Sequence, residues 1–371
     1  MENLSGILRQ FALEEEYNGF SAPKTLEDGH INDTYVFASQ REGGEPGPRY
    51  LLQRINTFVF KHPRELMENI LHVTEHIRSG AAAQASGLRT LSVYRTKTGE
   101  LCYTDEEGGT WRCYNYVENT YSLQAASCLE DAYRAARAFG AFARMIADFP
   151  IGQLHETIPD FHHTVRRYEQ LEQAIAENRA GRLEEVRAEV AFAQARRADA
   201  ARLVDLLAAG KLPLRVTHND TKLNNVLFDL DTHEPVCVVD LDTIMPGLSL
   251  YDFGDSIRFL GNTAAEDERD LTKVDISLPI YESYARGYLA EAGESLWEEE
   301  ARLLPFSAKL MSYECGMRFL ADYLNGDVYF RVHQADDNLA RCRTQFKLVE
   351  KIEARLDEME AVTMGIYRGE K

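Results

Sequence analysis

The stretch from Leu214 to Asp242 constrains this chain more than any other. Leu214-Arg215-Val216-Thr217 runs into a polar loop, His218-Asn219-Asp220-Thr221-Lys222-Leu223-Asn224-Asn225. Two short apolar segments follow, Val226-Leu227-Phe228 and Val236-Cys237-Val238-Val239. Asp229-Leu230-Asp231-Thr232-His233-Glu234-Pro235 separates them, and Asp240 ends the second. Short valine-rich runs bounded by Asp, Asn and Pro read as strands joined by a turn. The pattern predicts a hairpin that closes back on the polar loop and returns Asp240 beside Asn225. Taken singly, Asp and Asn in turns usually serve the local backbone. Here the spacing H-x-D-x-x-x-x-N, followed by an aspartate at a strand end, gathers three oxygen-bearing side chains.

Such a set suits the movement of a phosphoryl group from a nucleotide to a hydroxyl. One carboxylate takes the hydroxyl proton, while an amide oxygen and a second carboxylate suit Mg²⁺, which prefers oxygen ligands. Asp220 is the candidate base, and Asn225 and Asp240 are the candidate metal ligands. His218 is expected to be a structural hydrogen-bonding residue. The string Asp252-Phe253-Gly254 has the letters of the protein-kinase metal triplet, but it lies beyond Pro246-Gly247 and opens a helical pattern. Asp252 and Asp255 are therefore expected to cap that helix and brace the loop. Asp242 shares the face of Asp240 if the strand continues.

The rest of the chain is organised around this stretch. Pro63 opens a helical pattern with Leu66, Ile70, Val73 and Ile77 on one face and Gly80 as its stop. Strands are expected at residues 35–37, 50–55, 91–94, 100–103 and 110–117, with Gly/Pro turns between them. From about residue 120 the periodicity becomes helical, and residues 161–209 read as one or two long charged helices. The expected fold is α+β and bilobal. Residues 1–117 form a small antiparallel-sheet lobe with one main helix, and residues 118–371 form a larger, mainly helical lobe. With 371 residues, 44% of them apolar, the chain can bury cores of that size.

A net charge of −19 disfavours nucleic acid and anionic membranes as partners. Six scattered cysteines without metal spacing, no leader-like N-terminus and no membrane-length apolar run point to a reduced, cytoplasmic protein, expected to be a monomer.

The loop motif, Val238-Val239-Asp240 and Tyr251-Asp252-Phe253-Gly254-Asp255 together resemble the aminoglycoside phosphotransferase and choline kinase superfamily, which has the protein-kinase-like fold. Gly29-His30-Ile31-Asn32-Asp33-Thr34, Asp240-Leu241-Asp242-Thr243, Pro246-Gly247-Leu248-Ser249 and Glu314-Cys315-Gly316-Met317-Arg318-Phe319-Leu320 are similar to segments of bacterial N-acetylhexosamine 1-kinases. The resemblance spans residues 25–335. It implies Asp220 as base and Asn225 with Asp240 on Mg²⁺. It also implies residues 29–34 as a loop over the ATP phosphates, with Gly29, His30, Asn32 and Thr34 as contacts. The strand lysine that usually grips the phosphates is absent, and Gln53 or Arg54 stands in its place. Tyr116, Val117 and Glu118 fall where adenine would meet the backbone. Asp33, Arg318, Asp322 and Tyr329 are the candidate acceptor contacts. The implied reaction is ATP-dependent phosphorylation of the anomeric hydroxyl of an N-acetylhexosamine. The alternatives are an amino-alcohol or aminoglycoside acceptor, or an inactive nucleotide-binding regulator.

Overall fold

The structure is a computed structural model that describes residues 4–13, 19–26, 31–41, 45–80 and 87–370. It is α+β and divides into two compact units. One comprises Met1–Tyr121, Asp148–Ile158 and Leu227–Met245, and the other Ser122–Ala147, Pro159–Val226 and Pro246–Lys371. The single join expected at 117–118 lies four positions before Tyr121, and two later segments return to the first unit. Among the described residues no helix is long and apolar enough to cross a membrane.

The first unit is built on an antiparallel sheet. Its path runs through Gly19–Phe20, Asp33–Gln40, Pro46–Ile55, Thr110–Asn115 and Val93–Tyr94, with Lys24–Leu26 and Tyr103–Thr104 paired at its sides. Side chains alternate across the sheet, so one face buries Phe37, Tyr50, Leu52, Trp111 and Cys113 in a common apolar cluster with Ile7, Leu8 and Phe11. The helix Pro63–Ser79 starts with Pro at its first turn and buries Leu66, Ile70, Val73 and Ile77. It ends where Gly80 donates its N–H to His76 O. The hairpin forms from Val226–Asp229 and Pro235–Val238, closed by Asp229 N donating to Glu234 O at 2.9 Å. Thr120–Tyr121 adds a third strand to it. That strand, like Gly19–Phe20 and Lys24–Leu26, is too short for alternation to reveal in sequence.

The second unit is helical. The 28-residue helix Glu298–Asn325 is buried along most of its length and packs against Ser249–Leu260, Asp337–Glu353, Thr164–Glu177 and Leu356–Tyr367. The stretch expected to hold one or two long helices contains three, Thr164–Glu177, Arg187–Ala195 and Arg197–Ala208. The first stops because Asn178 takes the left-handed conformation, φ 40°, and its Oδ1 accepts the Leu183 amide at 3.1 Å. Gly181, at φ 71°, follows.

Gly254 shows why the triplet-like string ends in glycine. A Cβ there would stand 2.5 Å from Ser307 O and 2.7 Å from Met311 Cγ, on the facing long helix. Gly254→Ala is therefore expected to lower stability by about 1–3 kcal/mol through overpacking, read from the urea midpoint. An unchanged midpoint would show that the two helices do not approach this closely.

Candidate active site

In the second unit, the polar loop follows the strand Arg215–Thr217 and is held by the helix Ser249–Leu260. The Asp252 carboxylate accepts the His218 amide at 2.9 Å and the Asn219 amide at 2.7 Å. Thr221 Oγ1 donates to Asp252 O at 2.6 Å, and Ser256 Oγ donates to Thr221 O at 2.9 Å. Asp252 thus braces the loop but does not cap its helix, whose N-cap position is Leu248. Burial pushes the Asp252 carboxyl above its usual range, against the pull of His218 and the two amides. Asp255 is turned instead to Arg258, 2.9 Å away, and is held below the usual range. Burial opposes that shift, but Arg258 and Lys222 outweigh it. His218 is fully buried, with its ring set edge-on against Phe139 and Phe142.

These supports fix the conformation from which Asp220 projects. Asn219 sits in the left-handed region at φ 64°. Asp220 Oδ1 lies 2.9 Å from Lys222 Nζ. Burial would lower the Lys222 ammonium, but Asp220 raises it above its ordinary value. Lys222 was legible in the loop as a cation two positions after the candidate base. Asn225 Nδ2 donates to Asp220 O at 2.8 Å, which leaves Oδ1 as the atom available to a cation. That oxygen has no hydrogen bond among the described residues, so the residue fits a metal-ligand role.

Asp240 and Asp242 belong to the first unit, Asp220 and Asn225 to the second. The strand does not continue past Val238. Asp240 is left-handed at φ 59°, and Leu241–Thr243 forms a 3₁₀ turn. Asp242 consequently meets Arg112, which donates from Nη1 at 2.5 Å and from Nη2 at 2.9 Å in a bidentate pair. Arg112 is 1% exposed. Burial alone would lower its guanidinium, but Asp242 holds it above its ordinary value. Arg112 Nε donates to Gln53 Oε1 at 2.9 Å, and Gln53 Nε2 donates to Thr34 Oγ1 at 2.9 Å. Asn32 Nδ2 donates to Asp242 Oδ2 at 2.7 Å, and its Oδ1 accepts the Asn56 amide at 2.9 Å. Strand register puts Gln53 opposite Thr34 and Arg112, whereas Arg54 stands opposite Asp33 and Trp111 on the other face. Gln53 therefore joins the charged network, while Arg54 lies over the Trp111 ring at 5.9 Å. Sequence reasoning missed Arg112, although a lone guanidinium in Trp111-Arg112-Cys113-Tyr114 was a visible signal.

The remaining candidates divide between the two units. Gly29 and His30 lie outside the described residues. Asp33 is exposed at the start of its strand. Tyr116 lies under the Arg49 guanidinium at 4.0 Å, and Glu118 accepts from Arg49 Nε at 2.8 Å. Val117 is buried and its carbonyl accepts from Thr120 Oγ1. Asp322, expected to touch the acceptor, has both oxygens committed. Oδ1 accepts the Val328 and Tyr329 amides, and Oδ2 accepts the Phe330 amide and Asn338 Nδ2, all within 3.0 Å. Four donors fill a carboxylate's capacity, so Asp322 shapes the turn that carries Tyr329. Tyr329 is 68% exposed. The Arg318 guanidinium lies 6.0 Å from the Tyr329 ring, 5.5 Å from Phe330 and 6.0 Å from Phe161. It forms no hydrogen bond or ion pair among the described residues.

A braced loop carrying an aspartate, a lysine and an asparagine with a spare oxygen has the residue types that phosphoryl transfer uses. The chain matches APH, the phosphotransferase enzyme family, over residues 23–298, and it belongs to that family. It is a phosphotransferase with that family's protein-kinase-like fold. Among solved structures, a microcompartment-associated aminopropanol kinase is similar with a TM-score of 0.63 and 16% identity, over 96% of this chain and 97% of that one. A putative aminoglycoside phosphotransferase from Ralstonia eutropha JMP134 gives 0.58 and 13% identity, over 95% and 98%. Choline kinase from Cryptosporidium parvum Iowa II gives 0.53 and 14%, over 98% and 97%. At these identities the likeness is one of fold.

Proposed function

We propose that this phosphotransferase transfers the γ-phosphoryl group of ATP to the anomeric hydroxyl of an N-acetylhexosamine. The observation that carries the acceptor class is the Arg318 cluster, a guanidinium with no hydrogen bond or ion pair among the described residues, set beside three aromatic rings. The neighbouring carboxylates are engaged or shielded: Asp322 holds three amides and Asn338, Asp327 pairs with Arg182, and Glu314 pairs with His162 through one oxygen and is 1% exposed. An ammonium acceptor needs an uncommitted carboxylate, and a bare guanidinium repels it. An uncharged sugar instead offers hydroxyl and amide oxygens to N–H donors and an apolar face to an aromatic ring.

In this reading Asp220 takes the proton of the attacking hydroxyl. The oxygen–phosphorus bond forms as the bond from γ-phosphorus to the bridging oxygen breaks, and ADP leaves with that electron pair. Lys222 is placed to follow the charge as the Asp220 carboxylate is neutralised by the proton. Asn225 and Asp240 would each offer an oxygen to Mg²⁺, which when bound neutralises phosphate charge. The backbone at Tyr116 to Glu118 would meet adenine, and Asn32, Thr34 and Gln53 would support the loop over the phosphates.

The names of the similar structures favour a second reading, an amino-alcohol or aminoglycoside acceptor. A panel of GlcNAc, GalNAc, free hexoses, choline and an aminoglycoside, with ADP release as the signal, separates the two. Turnover is expected with the N-acetylhexosamines. Turnover with choline or the aminoglycoside alone would overturn the sugar reading, and any turnover removes the inactive regulator.

A further inference from the structure

We propose that Glu314 is a positioning residue that ties acceptor recognition to the catalytic loop, acting through His162 on one side and Arg318 on the other. The inference rests on the phosphotransferase reading and assigns two residues, Glu314 and His162, outside the candidate base and metal ligands.

Glu314 lies in the helix Glu298–Asn325 and is 1% exposed. Its Oε1 stands 2.9 Å from His162 Nδ1, and His162 Nε2 stands 3.3 Å from Asn219 O. A carbonyl oxygen only accepts, so Nε2 carries a proton and donates it to the peptide between Asn219 and Asp220. The loop is therefore gripped from two directions. Asp252 takes its amides at 218 and 219, and His162 takes the carbonyl just before Asp220. Phe161 at 4.5 Å and Tyr251 at 5.3 Å confine the imidazole ring, so the grip is geometrically definite. Asn219 is left-handed, a conformation that Asn tolerates better than most non-glycine residues, and the two grips fix the peptide on either side of it.

The second oxygen of the Glu314 carboxylate, Oε2, is buried and accepts no hydrogen bond among the described residues. Arg318 follows one helical turn later, which places the two side chains on the same helix face. Burial would raise the Glu314 carboxyl, but His162, Arg318 and Arg167 together hold it below its usual range. The coupling is reciprocal. Arg167, whose own donors go to Phe161 O and Gln170, is held lower by burial and by Arg318. Without the Glu314 charge, the Arg318 and Arg167 guanidiniums would lose the carboxylate that offsets part of their mutual repulsion. Glu314 thus keeps Arg318 beside the rings of Phe161, Tyr329 and Phe330 while its N–H groups remain uncommitted. A carboxylate whose charge acts on the acceptor cation and which, through one imidazole, holds the peptide of the base keeps the two in register.

The two arms separate by kinetics. Glu314→Gln keeps the shape and can still hydrogen-bond His162, but it removes the charge. It is expected to raise the acceptor KM about tenfold, with the KM for ATP unchanged and the larger effect on KM rather than kcat. His162→Ala removes the grip on the loop and is expected to lower kcat about tenfold with little change in acceptor KM. His162→Gln, whose amide N–H reaches to a similar place, should recover most of that loss. Thermal midpoints of all three variants report folding, and the Ala/Gln pair decides the loop arm even if Glu314→Gln is destabilised. An unchanged acceptor KM in Glu314→Gln, or equal kcat in His162→Ala and the wild type, overturns the proposal. So does a parallel rise in the KM for ATP. The assay uses whichever acceptor the wild-type enzyme turns over in the panel. A wrong sugar assignment therefore shows in the wild type, and a wrong role for Glu314 shows only in the variant ratios. If no acceptor is turned over, both fall.

Discussion

Asp220→Asn is expected to lower kcat by about 10²–10⁴-fold while ATP still binds. The substitution keeps the size of the side chain and its place in the loop, where Asp252 and Ser256 continue to hold the neighbouring backbone. What it removes is the ability to accept a proton, together with the anionic partner of Lys222. The loss should therefore appear in kcat and kcat/KM alike, the pattern of an interaction made only in the transition state. Single-turnover phosphoryl transfer and direct nucleotide binding are the two measurements needed. Near-normal kcat would remove Asp220 from the chemistry. Loss of nucleotide binding in step with kcat would mean that the loop, and not the base, had been damaged.

The largest stability effect is expected at Arg112. Its bidentate pair with Asp242 is among the most completely buried ion pairs described here, and Gln53 and Asn32 add hydrogen bonds at its edges. Desolvating two charges offsets most of their attraction, so the intact pair contributes little net stability. Removing one partner is different, because the other charge stays buried and uncompensated. Arg112→Met is expected to cost about 3–5 kcal/mol, read from the urea midpoint at constant slope. The double variant Arg112→Met/Asp242→Leu should recover a large part of that loss. If the single variant costs under about 1 kcal/mol, the pair is open to water and the buried network is wrong. The turn at residues 240–243 depends on the same pair, since Asp242 is its anchored member.

The placement of Asp242 shows where sequence reasoning ran out. Alternation along Val236-Cys237-Val238-Val239 put it on the face of Asp240, provided the strand continued. The left-handed backbone at Asp240 ends the strand, and no residue pattern announces that turn. Asp322 is a similar case. A carboxylate four positions after Arg318 has the right chemistry for a sugar hydroxyl, yet its capacity is consumed by the turn at 328–330. The Asp252-Phe253-Gly254 string runs the other way. Its position beyond Pro246-Gly247 already argued against a metal triplet, and helix packing at Gly254 supplies the physical reason for the glycine.

What the sequence by itself determined is local. The loop from His218 to Asn225, the hairpin that follows it in the chain and the helix Pro63–Ser79 were all readable, because each rests on spacing within a few residues and on punctuation by Pro, Gly, Asn and Asp. Only the tertiary structure decided which charges meet. Arg112 and Asp242 are 130 positions apart, and His162 and Glu314 are 152 apart. Partners at such separations leave no periodic trace in a chain. They are selected by burial, where an ionised group must find its counter-charge or stay in water.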